Sequence, residues 1–187
     1  MQLMVPFGMM ITLLLPQPRK IEWAEQVYRP QAGRYILLAG DRPGTMLFTG
    51  KIIKEALAQV GPAPELTAAA GTDPSRIAAT LTIEPARIEQ PQGYRLNITP
   101  EHIEIVGHDA AGVFYAAQTL KQLCRLCAGR GVLPCLEIED WPDFPSRGVM
   151  LDISRDRVPK METLYLLSLI HISEPTRPLY ISYAVFC

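Results

Sequence analysis

The stretch that most narrows the folds open to this 187-residue chain is Gly93 to Cys124, GYRLNITPEHIEIVGHDAAGVFYAAQTLKQLC. GYRLNIT and HIEIVG alternate apolar with polar residues, the period of a half-buried strand, and Pro100 and Glu101 between them predict the turn of a β-hairpin. The period then changes. Val113, Ala116, Ala117, Leu120 and Leu123 fall on one face of a helix, and Asp109 stands near its N-terminus as a cap. Strands followed by an amphipathic helix predict an α+β fold, a small sheet with helices packed on one face.

The flanking sequence extends the same architecture. PQPRKIEWAEQVYRP reads as an opening strand bounded by prolines, with Ile21 and Trp23 alternating with Lys20 and Glu22. Tyr35 to Leu38 is a further strand. After a turn cluster of Gly40, Asp41, Pro43 and Gly44, the apolar residues Phe48, Ile52, Ile53, Ala56, Leu57 and Val60 recur at helical spacing up to Gly61. Pro62 to Ser75 is expected to be a loop holding a short strand, and Ile77 to Ile83 a full one. The Pro-rich VLPCLEIEDWPDFP is the expected linker, with Glu137, Glu139, Asp140 and Asp143 as its solvated face. RGVMLDIS beyond it has the pattern of a buried strand, and PKMETLYLL that of a helix start with Pro159 in the first turn.

Composition removes several functional classes. A formal charge of -1 gives no electrostatic reason to expect nucleic acid or an anionic membrane as a partner. The apolar N-terminus MQLMVPFGMMITLLL has no Lys or Arg ahead of it and no small-residue cleavage site, and Pro6 and Gly8 interrupt it. It reads as an extension leading into a first buried strand, Met10 to Leu15. Cys124, Cys127 and Cys135 lack the fourth ligand a zinc site needs, so they read as reduced cysteines near a helix end, with no metal or cofactor expected. His108-Asp109 reads as a helix-capping turn in preference to a catalytic dyad.

The segment IEDWPDFPSRGVMLDISRDRVPKMETL resembles the junction in glycoside hydrolase family 20, the β-N-acetylhexosaminidases, where a non-catalytic α+β domain meets the first strand of a (β/α)8 barrel. The family pattern, approximately D-x-P-x-F-x-x-R-G-x-x-L-D-x-S-R, is supplied by Asp140, Pro142, Phe144, Arg147, Gly148, Leu151, Asp152, Ser154 and Arg155. PQPRKIEW is similar to the family's opening strand and GHDAAGVFYAAQTLKQL to the helix that closes its first domain, so the resemblance spans Leu13 to Tyr165. DRVPKM departs from the His and aromatic residue that many members carry after Ser-Arg, which places the chain in a divergent bacterial branch.

The resemblance implies a hydrolase that removes terminal N-acetylhexosamine from a carbohydrate substrate with retention. The substrate's own acetamido oxygen is the nucleophile, in place of one of the usual two carboxylates. An adjacent Asp-Glu pair farther along the barrel would orient the acetamide and protonate the leaving oxygen; nothing in this chain matches it, so no catalytic residue is assigned and the chain alone is expected to be inactive. Arg147 matches the arginine that hydrogen-bonds hydroxyls of the terminal sugar, a task suited to a rigid fork of donors. An ion pair at the domain junction, with Asp152, is the structural alternative for Arg147. Barrel sites gather at the C-terminal ends of strands, whereas Arg147 begins its strand, so only the family match favours it. Other readings are the front domain of an α-glucuronidase or O-GlcNAcase-like enzyme, or a stand-alone carbohydrate-binding or interaction module.

The tail reads differently from everything before it. LSLIHISEPTR, Leu167 to Arg177, is similar to the translation of a transposase-type sequencing adapter, which leaves His171, Ser173, Glu174 and Cys187 without a selected role. The expected organisation is an extension at 1–12, the α+β domain at 13–138, linker and truncated barrel start at 139–166, and an artefactual tail at 167–187.

Overall fold

The computed structural model describes residues 13–69, 71–146, 148 and 160–170. Most of the expected barrel strand, Arg147 and Val149 to Ser154, lies outside them, as do Pro159, Met10 to Thr12 and residues 171–187. The described elements are β1 (Lys20–Tyr28), β2 (Tyr35–Leu38), α1 (Leu47–Leu57), β3 (Glu65–Thr67), β4 (Ile77–Ile83), β5 (Tyr94–Ile98), β6 (Ile103–Gly107), α2 (Ala110–Leu126), β7 (Leu133–Asp140) and α3 (Met161–Ile170). One compact unit ends at Asp143; Phe144 opens a second, which contains α3. Helix α3 runs across the 166/167 boundary.

All seven strands form one mixed sheet in the order β1-β7-β5-β6-β4-β2-β3. The half made of β1, β7, β5 and β6 is antiparallel, and β6, β4, β2 and β3 run parallel. Helix α1 supplies the crossover between the parallel strands β2 and β3, a connection that a short turn cannot make. The expected hairpin is present, with Leu96 opposite Ile105 and Ile98 opposite Ile103. The α+β layer is therefore confirmed, with a sheet of seven strands.

Strand registry carries one apolar row across the sheet: Ile21, Ile138, Leu96, Ile105, Leu81 and Leu38. Helices α1 and α2 pack on this face and on each other, through Ile53, Ala56 and Leu57 of the first and Val113, Ala116, Ala117, Leu120 and Leu123 of the second. The predicted stripe of α2 is thus the buried one. Its first turn lies so close to the β5 strand start that a Cβ on Gly112 would collide with the Gly93 carbonyl, and one on Gly107 would sit 2.6 Å from the Val113 nitrogen. Only glycine permits that approach.

Two expectations change. VLPCLEIEDWPDFP is largely strand β7, held between β1 and β5, because Leu136 and Ile138 point into the core while Glu137 and Glu139 face outward to Arg95 and Lys20. Pro134 is tolerated because the β5 ladder stops at Leu136, so its missing N–H leaves no gap on that side. Leu13 to Leu15, the described part of the expected first strand, is a turn-like segment. Leu14 nevertheless is buried, and the segment is tied to α2 by Leu15 N–H donating to Gln122 Oε1 at 3.0 Å and Gln122 Nε2 donating back to the Leu15 carbonyl at 3.0 Å.

Candidate functional site

The junction motif can be built from its described half. Asp140 is the last residue of β7, and the start of β1 lies beside it. The Arg19 backbone N–H donates to Asp140 Oδ1 at 3.3 Å, and Arg19 Nε donates to the Trp141 carbonyl at 3.2 Å. The Arg19 guanidinium also pairs with Asp143 and lies 4.9 Å from the Trp141 ring centroid, with the Lys20 ammonium 5.5 Å from the same ring. Two cations over one indole, Arg19 anchored by Asp143 and Lys20 by Glu139, clamp the exit of the sheet to its entrance. The clamp is solvent-exposed, so its worth is geometric more than energetic.

Behind the clamp lies a small polar network. Tyr94 Oη and Thr119 Oγ1 are 2.7 Å apart, and Tyr94 Oη donates to Asp140 Oδ2 at 3.5 Å. Burial pushes the Tyr94 phenol well above its ordinary range. Burial likewise raises the Asp140 carboxyl, against the opposing pull of the Arg19 and Trp141 N–H groups, the Arg19 charge and the Tyr94 hydroxyl. A neutral phenol against a half-buried carboxylate is a satisfied structural bond, with no proton acceptor poised for chemistry.

Of the residues matching the family pattern, Asp140 and Pro142 lie at this clamp, and Phe144 and Gly148 belong to the second unit. Arg147, the assigned substrate-binding residue, lies outside the described residues, as do Leu151, Asp152, Ser154 and Arg155. The remaining candidates resolve into structure. Asp109 Oδ1 accepts the Gly112 N–H at 2.9 Å and Oδ2 the Gln92 N–H at 3.0 Å, so Asp109 caps α2 and pins the preceding loop. His108 Nδ1 is 2.7 Å from the Ile88 carbonyl. Cys124, Cys127 and Cys135 are buried and free of disulfides, and burial pushes the Cys124 thiol up to about 12, far from a reactive thiolate. Among the described residues no three His, Cys, Asp or Glu gather where a metal could sit.

One concave feature was not anticipated. An open groove of ≈ 530 Å³ lies where β2, β4 and β6 begin, lined by Gln31, Arg34, Ser75, Thr80, Glu101 and His102 among others. Its residues come from three separate stretches of chain, and no local spacing connects them. Arg34, set between Gly33 and the first residue of β2, gives no sign in sequence of being buried.

Known proteins place this geometry. The profile of glycosyl hydrolase family 20, domain 2, matches residues 12–141. A β-hexosaminidase of Porphyromonas gingivalis is 36% identical over 92 residues, covering 46% of this chain and 12% of that protein. The chain spans 9% to 14% of the length of the curated relatives it matches. Among solved structures, a β-N-acetylhexosaminidase of Bacteroides fragilis aligns with a TM-score of 0.50 at 26% identity, over 70% of this chain and 25% of that one. An exo-β-N-acetylglucosaminidase of Vibrio harveyi, in complex with N-acetylglucosamine, aligns with a TM-score of 0.59 at 20% identity, over 84% of this chain and 23% of that one, a likeness of fold. The capped helix α2, the seven-stranded sheet and the contacts of Arg19 with Asp140 and Trp141 all fall within the matched span, and by it the chain belongs to glycosyl hydrolase family 20, of which it carries domain 2.

Proposed function

We propose that the chain is the front part of a β-N-acetylhexosaminidase whose whole length removes terminal N-acetylhexosamine from glycans by the retaining, substrate-assisted route. The observation that carries this is the continuity of two matches: domain 2 over residues 12–141, and the junction motif from Asp140 to Arg155 that runs straight on from it. The proposed organisation keeps the α+β domain at 13–138, a barrel start at 139–166 and an adapter-derived tail at 167–187. In this reading β7 is the last strand before the barrel begins, and the clamp of Arg19 on Trp141 and Asp143 holds the end of the α+β domain to its own first strand.

Arg147 would hold hydroxyls of the terminal sugar in the whole enzyme, positioning it without taking part in proton transfer. The acetamide-orienting Asp and the acid Glu have no match in these 187 residues, so the chain by itself would not turn over substrate. A purified sample incubated with an aryl N-acetylglucosaminide is expected to release no phenol above the uncatalysed rate, and clear turnover would overturn the assignment. In the whole enzyme, R147A is expected to lower kcat/KM by roughly a hundredfold, the loss of two charged hydrogen bonds; an unchanged value would remove Arg147 from the sugar site. Sequencing the gene past codon 166 tests the tail: an intact frame encoding the same residues would end the adapter reading.

A further inference from the structure

We infer that the groove at the start of β2, β4 and β6 is a binding site for a sugar that carries a carboxylate, a hexuronic acid residue. Arg34, which has no part in the proposed sugar-cleaving site, is 9% exposed and lines the groove. Its Nη2 donates to the Ile77 carbonyl, but its Nε has no hydrogen-bond acceptor, and among the described residues no carboxylate lies within ion-pair distance of it. Burying a guanidinium without a counter-ion is costly, and an anion that pairs with it would recover part of that cost.

The neighbours supply no counter-charge of their own. Burial raises the nearby Tyr28 phenol, so it is neutral. His102, whose Nδ1 lies 3.4 Å from the Ile77 carbonyl, is held below its ordinary range by burial and by Arg34, leaving it neutral as well. Glu104, next along β6, is engaged by Arg87 at 3.0 Å. Glu101 lies on the groove wall beyond ion-pair reach of Arg34.

The rest of the lining decides what kind of anion fits. Gln31, Ser75, Thr80 and His102 offer uncharged donors and acceptors, and Glu101 is an acceptor suited to sugar hydroxyls. A bare inorganic anion would use Arg34 and be repelled by Glu101. A polyhydroxylated acid uses both ends, its carboxylate at the guanidinium and its hydroxyls along the wall. The ≈ 530 Å³ groove is within the range of about 300–1,000 Å³ typical of small-ligand sites.

The test is a nuclear magnetic resonance titration of the full chain with D-glucuronate, D-glucose and inorganic sulfate. Glucuronate is expected to give saturable shifts at the Thr80 amide and the His102 ring protons, with glucose and sulfate each roughly tenfold weaker, the value of one charged hydrogen-bonding end. R34Q is expected to weaken glucuronate by a similar factor. If R34Q does not fold, the wild-type shifts and the three-ligand ranking still decide the matter. Absence of saturable shifts at Thr80 and His102, equal binding of glucose or sulfate, or unchanged affinity in a folded R34Q would each overturn the site.

Discussion

On one side of the sheet Leu96, Ile105, Leu81 and Ile138 are fully buried beneath two helices; on the other, one residue along each strand, stand Arg95, Glu104, Thr80 and Glu137. The strands are the same, yet the second side is held by Arg95 at 3.3 Å from Glu137, Lys20 at 3.1 Å from Glu139 and Arg87 at 3.0 Å from Glu104. These pairs are partly solvated, and each contributes at most about 1 kcal/mol. The apolar side sets the stability and the charged side sets what can approach. Ile77, Ala78, Ile88 and Val106 are buried as well, apart from the main core cluster.

Predictions that break this division begin in the core. L120A, at a position with 0% exposure, is expected to cost about 2–5 kcal/mol in urea unfolding, and a loss below 1 kcal/mol would mean that α2 is not the lid of the core. D109A removes the acceptor of two backbone N–H groups and is expected to cost about 1–2 kcal/mol, read as a lowered midpoint with unchanged slope.

Smaller effects sharpen the contrast from the charged side. His102 is depressed in the folded state, so the unfolded chain binds its proton more readily and stability is lost as pH falls from the ordinary histidine range through the folded value. H102Q should flatten that slope between about pH 7 and 5, measured by thermal melts; an unaltered slope would refute the neutral assignment. R95M is expected to stay within about 1 kcal/mol of the wild type, and a larger loss would show the charged face to be structural after all.

Much of this was legible because it is local. The GYRLNIT and HIEIVG alternation, the stripe from Val113 to Leu123 and the Asp109 cap each depend on residues within a few turns of one another, and all appear as expected. Strand β7 was misread although Leu136 and Ile138 alternate with Glu137 and Glu139. Pro134 and the WPDFP that follows carry the stronger local signal, and what overrides it is pairing with β1, more than a hundred residues earlier. Arg34 and its groove were invisible for the same reason. Burial of a single arginine is decided by the starts of three strands, and registry of that kind leaves no periodic trace.

The pairing of β1 with β7 has a mechanical consequence. Lys20 faces Glu139, so the chain enters and leaves the sheet at one point and the two strands run back from it antiparallel. Tension applied between residues near 19 and 141 would part these strands one residue pair at a time, as a zipper opens, instead of loading every hydrogen bond of the ladder together. A module attached in this way yields first at its own seam, with Arg19 and Trp141 as the catch, and β7 still has its second ladder, with β5, to hold it.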